Sequence, residues 1–257
     1  ALPISGLEHA VVCIDDPKGQ ELVASLKAAS KPVRIHTYGL SAGADVCASQ
    51  VRWRSAAAGS DTWGQQLTVH HAGRSVSMQI PWLGEHNVRN LLAVIAALCA
   101  MGHEFEKACA ICASLEPVPG RMQSITKPAA PMAVVDYAHT PDALAKALQA
   151  LRPLAELRSG RLICVFGCGG DRDRTKRPEM GRVAQALADQ VWLTSDNPRT
   201  EDPMAIVRDI RQGFQAQGAA VQVQLDRALA IAQALQQSAP QDVVLIAGKG
   251  HETYQEV

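Results

Sequence analysis

The sequence predicts an α/β protein whose second half is a doubly wound parallel sheet and whose first half carries an antiparallel hairpin region. Three observations predict it. From about Met132 onward a strand–loop–helix rhythm repeats, and its strands are continuous apolar runs such as "MAVVD", "RLICVF", "QVWLT" and "DVVLIA". Such runs mark parallel strands covered on both faces by helices, where antiparallel strands alternate. Between Asp45 and Trp82 the texture is different: "QLTVHHAGRSVSMQIP" has strand period broken by a glycine-containing turn. Joining the two regions is "EPVPGRMQSITKPAAP", with four prolines and a glycine, which reads as a surface connection and places the domain boundary near Lys127. The expected domains are 1–127 and 128–257, the second Rossmann-like.

Each element follows in order. "HAVVCIDDPKGQELVASLKAA" reads as strand, Asp-Pro-Lys-Gly turn and helix, and "KPVRIHTYGL" as a second strand. The hairpin region comes next. "GEHNVRNLLAVIAALCAMG" has strong helical character, with Asn87 near its start and Gly102 at its end. A second helix spans about Phe105 to Ser114. After the connection, "MAVVDYAHTPDALAKALQAL", "RLICVFGCGGDRDRTKRPEMGRVAQALA", "DQVWLTSDNPRTEDPMAIVRDIRQGF" and "AAVQVQLDRALAIAQALQQ" are successive strand–loop–helix units, and "DVVLIAGKGHE" completes the rhythm. Asp202 is a good N-cap and Pro203 suits the first helical position, where its missing N–H costs little.

Composition narrows the function. The 257 residues are 47% hydrophobic, enough for one large or two ordinary domains, and the formal net charge is zero. A nucleic-acid footprint would need a basic excess, so nucleic acid is not an expected partner. No apolar run reaches membrane-span length and no signal peptide opens the chain, so a cytoplasmic location away from membranes is expected. Seven cysteines, an odd count scattered through apolar segments, fit reduced thiols better than a disulfide framework. Cys109 and Cys112 form one CxxC within an Ala-rich helical stretch, and no second pair completes a zinc site. They read as a buried helix face.

Ligands of doubly wound sheets bind beyond the carboxyl ends of the strands. Four loops leave such ends, and all are polar: "DYAH" (Asp136 to His139), "GCGGDRDRTKR" (Gly167 to Arg177), "SDNPR" (Ser195 to Arg199) and "GKGHE" (Gly248 to Glu252). With Asp202-Pro203 accounted for as a helix start, Asp196, Asn197, Pro198 and Arg199 remain to be explained. Pro198 stiffens the loop, Asn197 tolerates unusual backbone angles, and Arg199 offers a planar fork for a carboxylate. A solvated arginine on a turn is the plain alternative. Gly167, Gly169 and Gly170 resemble a dinucleotide loop but lack its last glycine. The basic run Arg172, Arg174, Lys176 and Arg177, opening a helix, suits an anion. Gly248 and Gly250 let backbone approach closely, and Glu252 stands where it could accept from an ammonium. For Lys249 and His251 the plain reading is support or solvent. In the first half, Asn87 and Asn90 lie three apart and share a helix face. Paired amides there suit a nucleobase or phosphate oxygens, or simply cap the helix.

Taken together and in order, "HNVRN", "PGRM", "DYAHTPDAL", "GCGGDRDRTKRPEMG", "DNPRTEDP" and "AGKGHE" resemble the Mur ligases, over nearly the whole chain. The "DNPR" form is similar to the branch that uses meso-2,6-diaminopimelate. The resemblance implies an ATP-dependent amide ligation in peptidoglycan precursor synthesis. ATP would phosphorylate the γ-carboxylate of D-glutamate in UDP-MurNAc-L-Ala-D-Glu, and an amine of diaminopimelate would attack the acyl phosphate, with Mg2+ and a lysine carbamate assisting. It implies diaminopimelate contacts at Arg172, Asp196, Asn197, Pro198, Arg199, Gly248 and Glu252, and nucleotide contacts at Asn87, Asn90, Arg121 and Asp136. Arg121 and Asp136 would bridge the central and C-terminal domains.

No G-x-x-x-x-G-K-[ST] occurs, and the family's phosphate loop, carbamylated lysine and magnesium ligands are expected upstream of Ala1. The expectation is thus a chain holding the later part of the central ATP-binding domain and most of the C-terminal domain. It would be monomeric, with no catalytic or metal-ligating residue of its own and no activity alone. Of two other classes, an NAD-dependent Rossmann oxidoreductase, suggested by "VFGCGG", fails on the incomplete glycine fingerprint and explains none of the other loops, while a non-catalytic amino-acid-binding module would describe this chain alone.

Overall fold

The structure, a computed structural model, describes residues 6–29, 33–55, 63–215 and 218–256. The chain forms two compact units, one from residues 1–54 and 64–116, the other mainly from residues 117–257.

The first unit runs β1 (His9–Cys13), α1 (Pro17–Ala28), β2 (Arg34–Gly39), β3 (Val46–Ser55), β4 (Trp63–His71), β5 (Arg74–Ile80), α2 (Glu85–Ala100) and α3 (Phe105–Ala113). Its sheet has the order β1-β2-β3-β4-β5. β4 and β5 form the expected antiparallel hairpin, from Gln65↔Ile80 to His71↔Arg74. Ala72 and Gly73 turn it with φ of 48° and 75°, the double left-handed conformation that matches the twist of paired strands. The start of β3 departs from the hairpin reading: Tyr38↔Val46 and Gly39↔Cys47 pair in parallel. Asp45 explains the register. Its Oδ2 accepts from Thr37 N and Thr37 Oγ1 at 2.8 and 2.7 Å, while Asp45 N donates back to Thr37 Oγ1 at 2.9 Å.

α2 buries Val88, Leu91, Leu92, Ile95 and Ala96, a single face at helical spacing. That face packs with Leu67, Val69, Met78 and Ile80 of the hairpin and with Phe105, Ala108, Cys109 and Cys112 of α3. Cys109 and Cys112 are therefore core residues as the sequence suggests, and burial pushes the Cys109 thiol up to about 12.

The second unit contains β6 (Gln123–Ile125), β7 (Met132–Asp136), α4 (Pro141–Leu157), β8 (Leu162–Phe166), α5 (Lys176–Leu187), β9 (Gln190–Leu193), α6 (Pro203–Arg211), β10 (Ala220–Val223), α7 (Arg227–Gln236) and β11 (Val243–Ala247). The sheet order is β10-β9-β8-β11-β7-β6. Every pairing is parallel except β6 with β7. β6 moves the boundary: Gln123, Ser124 and Ile125 pair with Val135, Val134 and Ala133, so the units divide near Pro117 rather than Lys127. The proline-rich stretch is partly an edge strand.

All five β8 residues are buried. Ile163 and Val165 face Ala230 and Ala234 of α7, with Trp192 and Val244 beside them. Alternate residues point to the opposite face, where α4 and α5 pack. Helices thus cover both faces, and the apolar runs follow from that double burial. The chain steps outward from β8 to β10, then returns with β11 between β7 and β8. The carboxyl ends of β7, β8, β9 and β11 therefore open on one edge.

Candidate functional site

The loops beyond those four ends enclose a cavity of about 520 Å3. Among its lining residues are Arg172, Asp196, Asn197, Arg199, Gly248 and Glu252, brought from three loops. Lys176 of the basic run lines it too, as do Tyr137 and His139, which the loop sequences alone do not single out. Pro198 is buried beside the cavity. Arg121 and Asp136 belong to the same unit but do not line it, and Asn87 and Asn90 lie on α2 of the first unit.

Three glycines let the loops interlock. A Cβ on Gly167 would lie 2.2 Å from Thr194 O, and one on Gly170 would lie 1.8 Å from Pro198 O. At Gly169 it would meet Arg199 Nη1 at 2.9 Å. The "GCGG" glycines thus face the "SDNPR" loop. They do not clear a path for a pyrophosphate, which removes the main support for a nicotinamide-binding reading. Gly170 N donates to Asn197 O at 2.9 Å, and Arg199 Nη1 donates to Gly170 O at 2.6 Å. Arg199 has φ of 52°, a left-handed conformation uncommon outside glycine and concentrated at functional loops.

The basic run separates into scaffold and site. Arg177 is fully buried, and its guanidinium bonds both Glu201 oxygens at 2.9 and 2.7 Å and Asp209 Oδ2 at 2.8 Å. Arg174 also pairs with Glu201, and Lys176 Nζ donates to His139 O at 2.9 Å. Hydrogen bonds from Arg177, from Asp171 N and from Arg174 hold the Glu201 carboxyl well below its ordinary range. Arg174 and Arg177 are therefore not anion-binding residues but cross-links that set the loop. Arg172 lines the cavity, and among the described residues no acid pairs with it.

The opposite wall is organised by Lys249, which is 9% exposed. Its Nζ donates to Asn197 Oδ1 at 2.7 Å and to Tyr254 O at 3.1 Å, and lies 3.2 Å from Asp196 Oδ1 and 3.5 Å from Glu252 Oε2. Glu256 N also donates to Asn197 Oδ1, at 3.0 Å, and Gln255 Nε2 to Asp196 O at 2.9 Å. Tyr137 Oη donates to Glu252 Oε1 at 3.2 Å, and the negative Glu252 raises the phenol's pKa. Behind the site, buried Arg227 ties the ends of β9 and β11 by donating to Ser195 O at 3.5 Å and Ala247 O at 2.9 Å. Burial lowers its pKa. Gly248, with φ of 114°, places its N–H on Asp136 O at 3.1 Å.

Asp136 serves the backbone. Oδ2 accepts from Met122 N and Oδ1 from Ala138 N, each at 2.9 Å. The adjacent Arg121 stacks over Tyr137, 4.4 Å from the ring centroid. In the first unit Asn87 Nδ2 donates to Leu83 O at 2.9 Å, which turns its carbonyl end outward, and Asn90 is exposed on the same helix face.

Known proteins resemble this chain in sequence and fold. Residues 120–250 match the family described as "Mur ligase, glutamate ligase domain", and residues 3–98 match "Mur ligase middle domain". The UDP-N-acetylmuramoyl-L-alanyl-D-glutamate--2,6-diaminopimelate ligase of Acidovorax sp. (strain JS42) is 48% identical over 251 residues, 98% of this chain and 48% of the relative. The protein of that name from Coxiella burnetii (strain RSA 493 / Nine Mile phase I) is 54% identical over 194 residues, 72% of this chain and 39% of its own. A solved structure of that name superposes with a TM-score of 0.66 at 39% identity, covering 97% of this chain and 49% of that one. The chain spans about half the length of the curated relatives it matches. Two family matches in sequence order, over two units with the expected sheets, lead to one conclusion: the chain belongs to the Mur ligase family.

Proposed function

We propose that this chain contributes to an ATP-dependent amide ligase that adds meso-2,6-diaminopimelate to the D-Glu γ-carboxylate of UDP-MurNAc-L-Ala-D-Glu. In that reading the second unit binds the incoming amino acid. One observation carries it: the cavity lining includes Arg172, Lys176 and Arg199 beside Asp173, Asp196 and Glu252. Cations and carboxylates side by side suit a ligand that itself carries charges of both signs. Diaminopimelate is such a molecule, with two carboxylates for the guanidinium groups and two ammoniums for the acids.

The chemistry assigned to these residues is positioning. Arg172 and Arg199 hold carboxylates, and Asp196 and Glu252 receive an ammonium. The other amine is then free, once deprotonated, to attack an acyl phosphate. Fixing that amine converts a bimolecular encounter into an oriented one. For the nucleotide we assign the Asn87 carbonyl and the Asn90 amide within the first unit and, taken separately, the Arg121 guanidinium within the second. Asp136 contributes by holding the backbone at Met122. Among the described residues no group of three or more His, Cys, Asp or Glu could hold a metal ion. No helix among the described residues is long and apolar enough to cross a membrane.

Titration calorimetry of the chain with meso-diaminopimelate, lysine, ATP and NADH tests the reading. Heat is expected for diaminopimelate, with weaker binding of lysine, which lacks the second carboxylate. A site built to bond a substrate group strongly rejects an analogue without it. Equal affinity for the two amino acids, or binding of NADH in their place, would overturn the proposal.

A further inference from the structure

The most connected side chain of the cavity wall is one that the recognition reading leaves out. Lys249 projects from the turn after β11 and reaches Asn197, Asp196 and Glu252 at once. We infer that Lys249 is a positioning residue that fixes Asn197 as a hydrogen-bond donor and Asp196 and Glu252 as acceptors toward the bound amino acid; this rests on the diaminopimelate reading above.

The orientation of the Asn197 amide decides the matter. An asparagine side chain offers one carbonyl and one NH2, and its surroundings select which end points where. Here two donors converge on Oδ1: the Lys249 ammonium at 2.7 Å and the Glu256 N–H at 3.0 Å. A flipped amide would set its NH2 against both. The NH2 is therefore the end left over, and no protein acceptor takes it among the described residues. Asn197 is 5% exposed yet lines the cavity. A ligand carboxylate is the partner such a donor suits. Lys249 acts on the acids in the same way: it draws Asp196 Oδ1 and Glu252 Oε2 to itself, leaving Asp196 Oδ2 on the other side, with Glu252 Oε1 shared with the Tyr137 hydroxyl. Lys249 thus gives one wall two opposite roles, and it does so without facing the ligand.

Calorimetric binding of meso-diaminopimelate to the 257-residue chain, with thermal melts as a check on folding, tests the inference. Asn197→Asp keeps an oxygen for Lys249 but removes the NH2 and adds charge against a carboxylate. It should melt like the parent and bind about 30-fold or more weaker. Lys249→Met should weaken binding by about 10-fold or more. In Asn197→Ala, adding Lys249→Met should cost clearly less than it costs the parent, because part of its effect runs through the Asn197 contact and only the part through Asp196 and Glu252 remains. Parent-like binding by Asn197→Asp overturns the inference, even where Lys249→Met fails to fold. Fully multiplicative losses in the double variant also overturn it, since a general structural role would produce them. If the parent itself binds no diaminopimelate, the functional reading falls and takes this inference with it.

Discussion

Gly170 provides a quantitative test of how the site is built. A methyl group at this position would sit 1.8 Å from Pro198 O, a backbone atom in a stiff loop. Ordinary contact begins near 3.4 Å, so the two loops must part by well over an ångström. The 2.9 Å bond from Gly170 N to Asn197 O cannot survive that movement. Overpacking costs about 1–3 kcal/mol and the lost hydrogen bond about 1 kcal/mol, for a destabilisation of about 2–4 kcal/mol. In a unit of this size the melting temperature should fall on the order of 10 °C. The neighbouring glycine is the control. At Gly169 the added methyl meets the far end of Arg199, which can move, so Gly169→Ala should cost under about 1 kcal/mol. It should nevertheless weaken amino-acid binding by displacing the guanidinium. Neither glycine has a left-handed φ, so the backbone itself tolerates alanine at both. Differential scanning calorimetry of the two variants decides. If Gly170→Ala melts with the parent, or both lose equal stability, the interlocking of the loops is not what these glycines serve.

Three further outcomes are expected. Arg199→Ala should weaken diaminopimelate binding by about 10-fold or more, and Arg199→Lys should recover little, because an ammonium lacks the planar fork; unchanged calorimetric affinity in both would refute the assignment. Arg177→Met should lower the melting temperature and loosen the loop at Asp171, measured by hydrogen exchange, because Glu201 and Asp209 lose their shared buried partner; Arg177→Lys should not restore it. His36 lies 2.9 Å from His9 Nδ1 through its own Nε2, near Asp45, His71 and Arg34, and burial first, then the neighbouring His9, lowers its pKa below 6.5. A histidine depressed in the fold takes up its proton more readily when unfolded, so stability is full above that range and falls as pH drops through it; His36→Gln should flatten this dependence in urea melts of the chain between about pH 7 and pH 5.

Much of the fold was legible because its causes are local. The buried runs of β8 and β11 need only double-sided covering to be read. Asp202 bonds Met204 N and Ala205 N at 3.1 Å each, the cap its place before Pro203 implies. That four loops share an edge follows from parallel strands alone. β3 was harder, since its parallel start depends on one carboxylate, Asp45, meeting Thr37. β6 was hidden inside a proline-rich stretch whose composition outweighs three residues of edge pairing.

The basic loop shows why charge alone could not locate the site. Arg172, Arg174, Lys176 and Arg177 are equivalent in a sequence scan, and each qualifies as an anion ligand. What separates them is where their counter-charges fold. Glu201 and Asp209, on the far side of the "SDNPR" loop and on α6, consume Arg174 and Arg177 and turn them into cross-links. Lys176 is held by a carbonyl, and Arg172 by no acid among the described residues. The same logic decides between the two readings of Lys249, support or solvent, in favour of support. Glu252 is its neighbour along the chain, but Asn197 and Asp196 become its partners only when β9 and β11 bring their ends together on either side of β8. A cation whose acids come from the same scaffold stabilises it, and a cation left without one among the described residues is the candidate for a ligand. Sequence spacing supplies the candidates, and only the tertiary pairing of charges sorts one kind from the other.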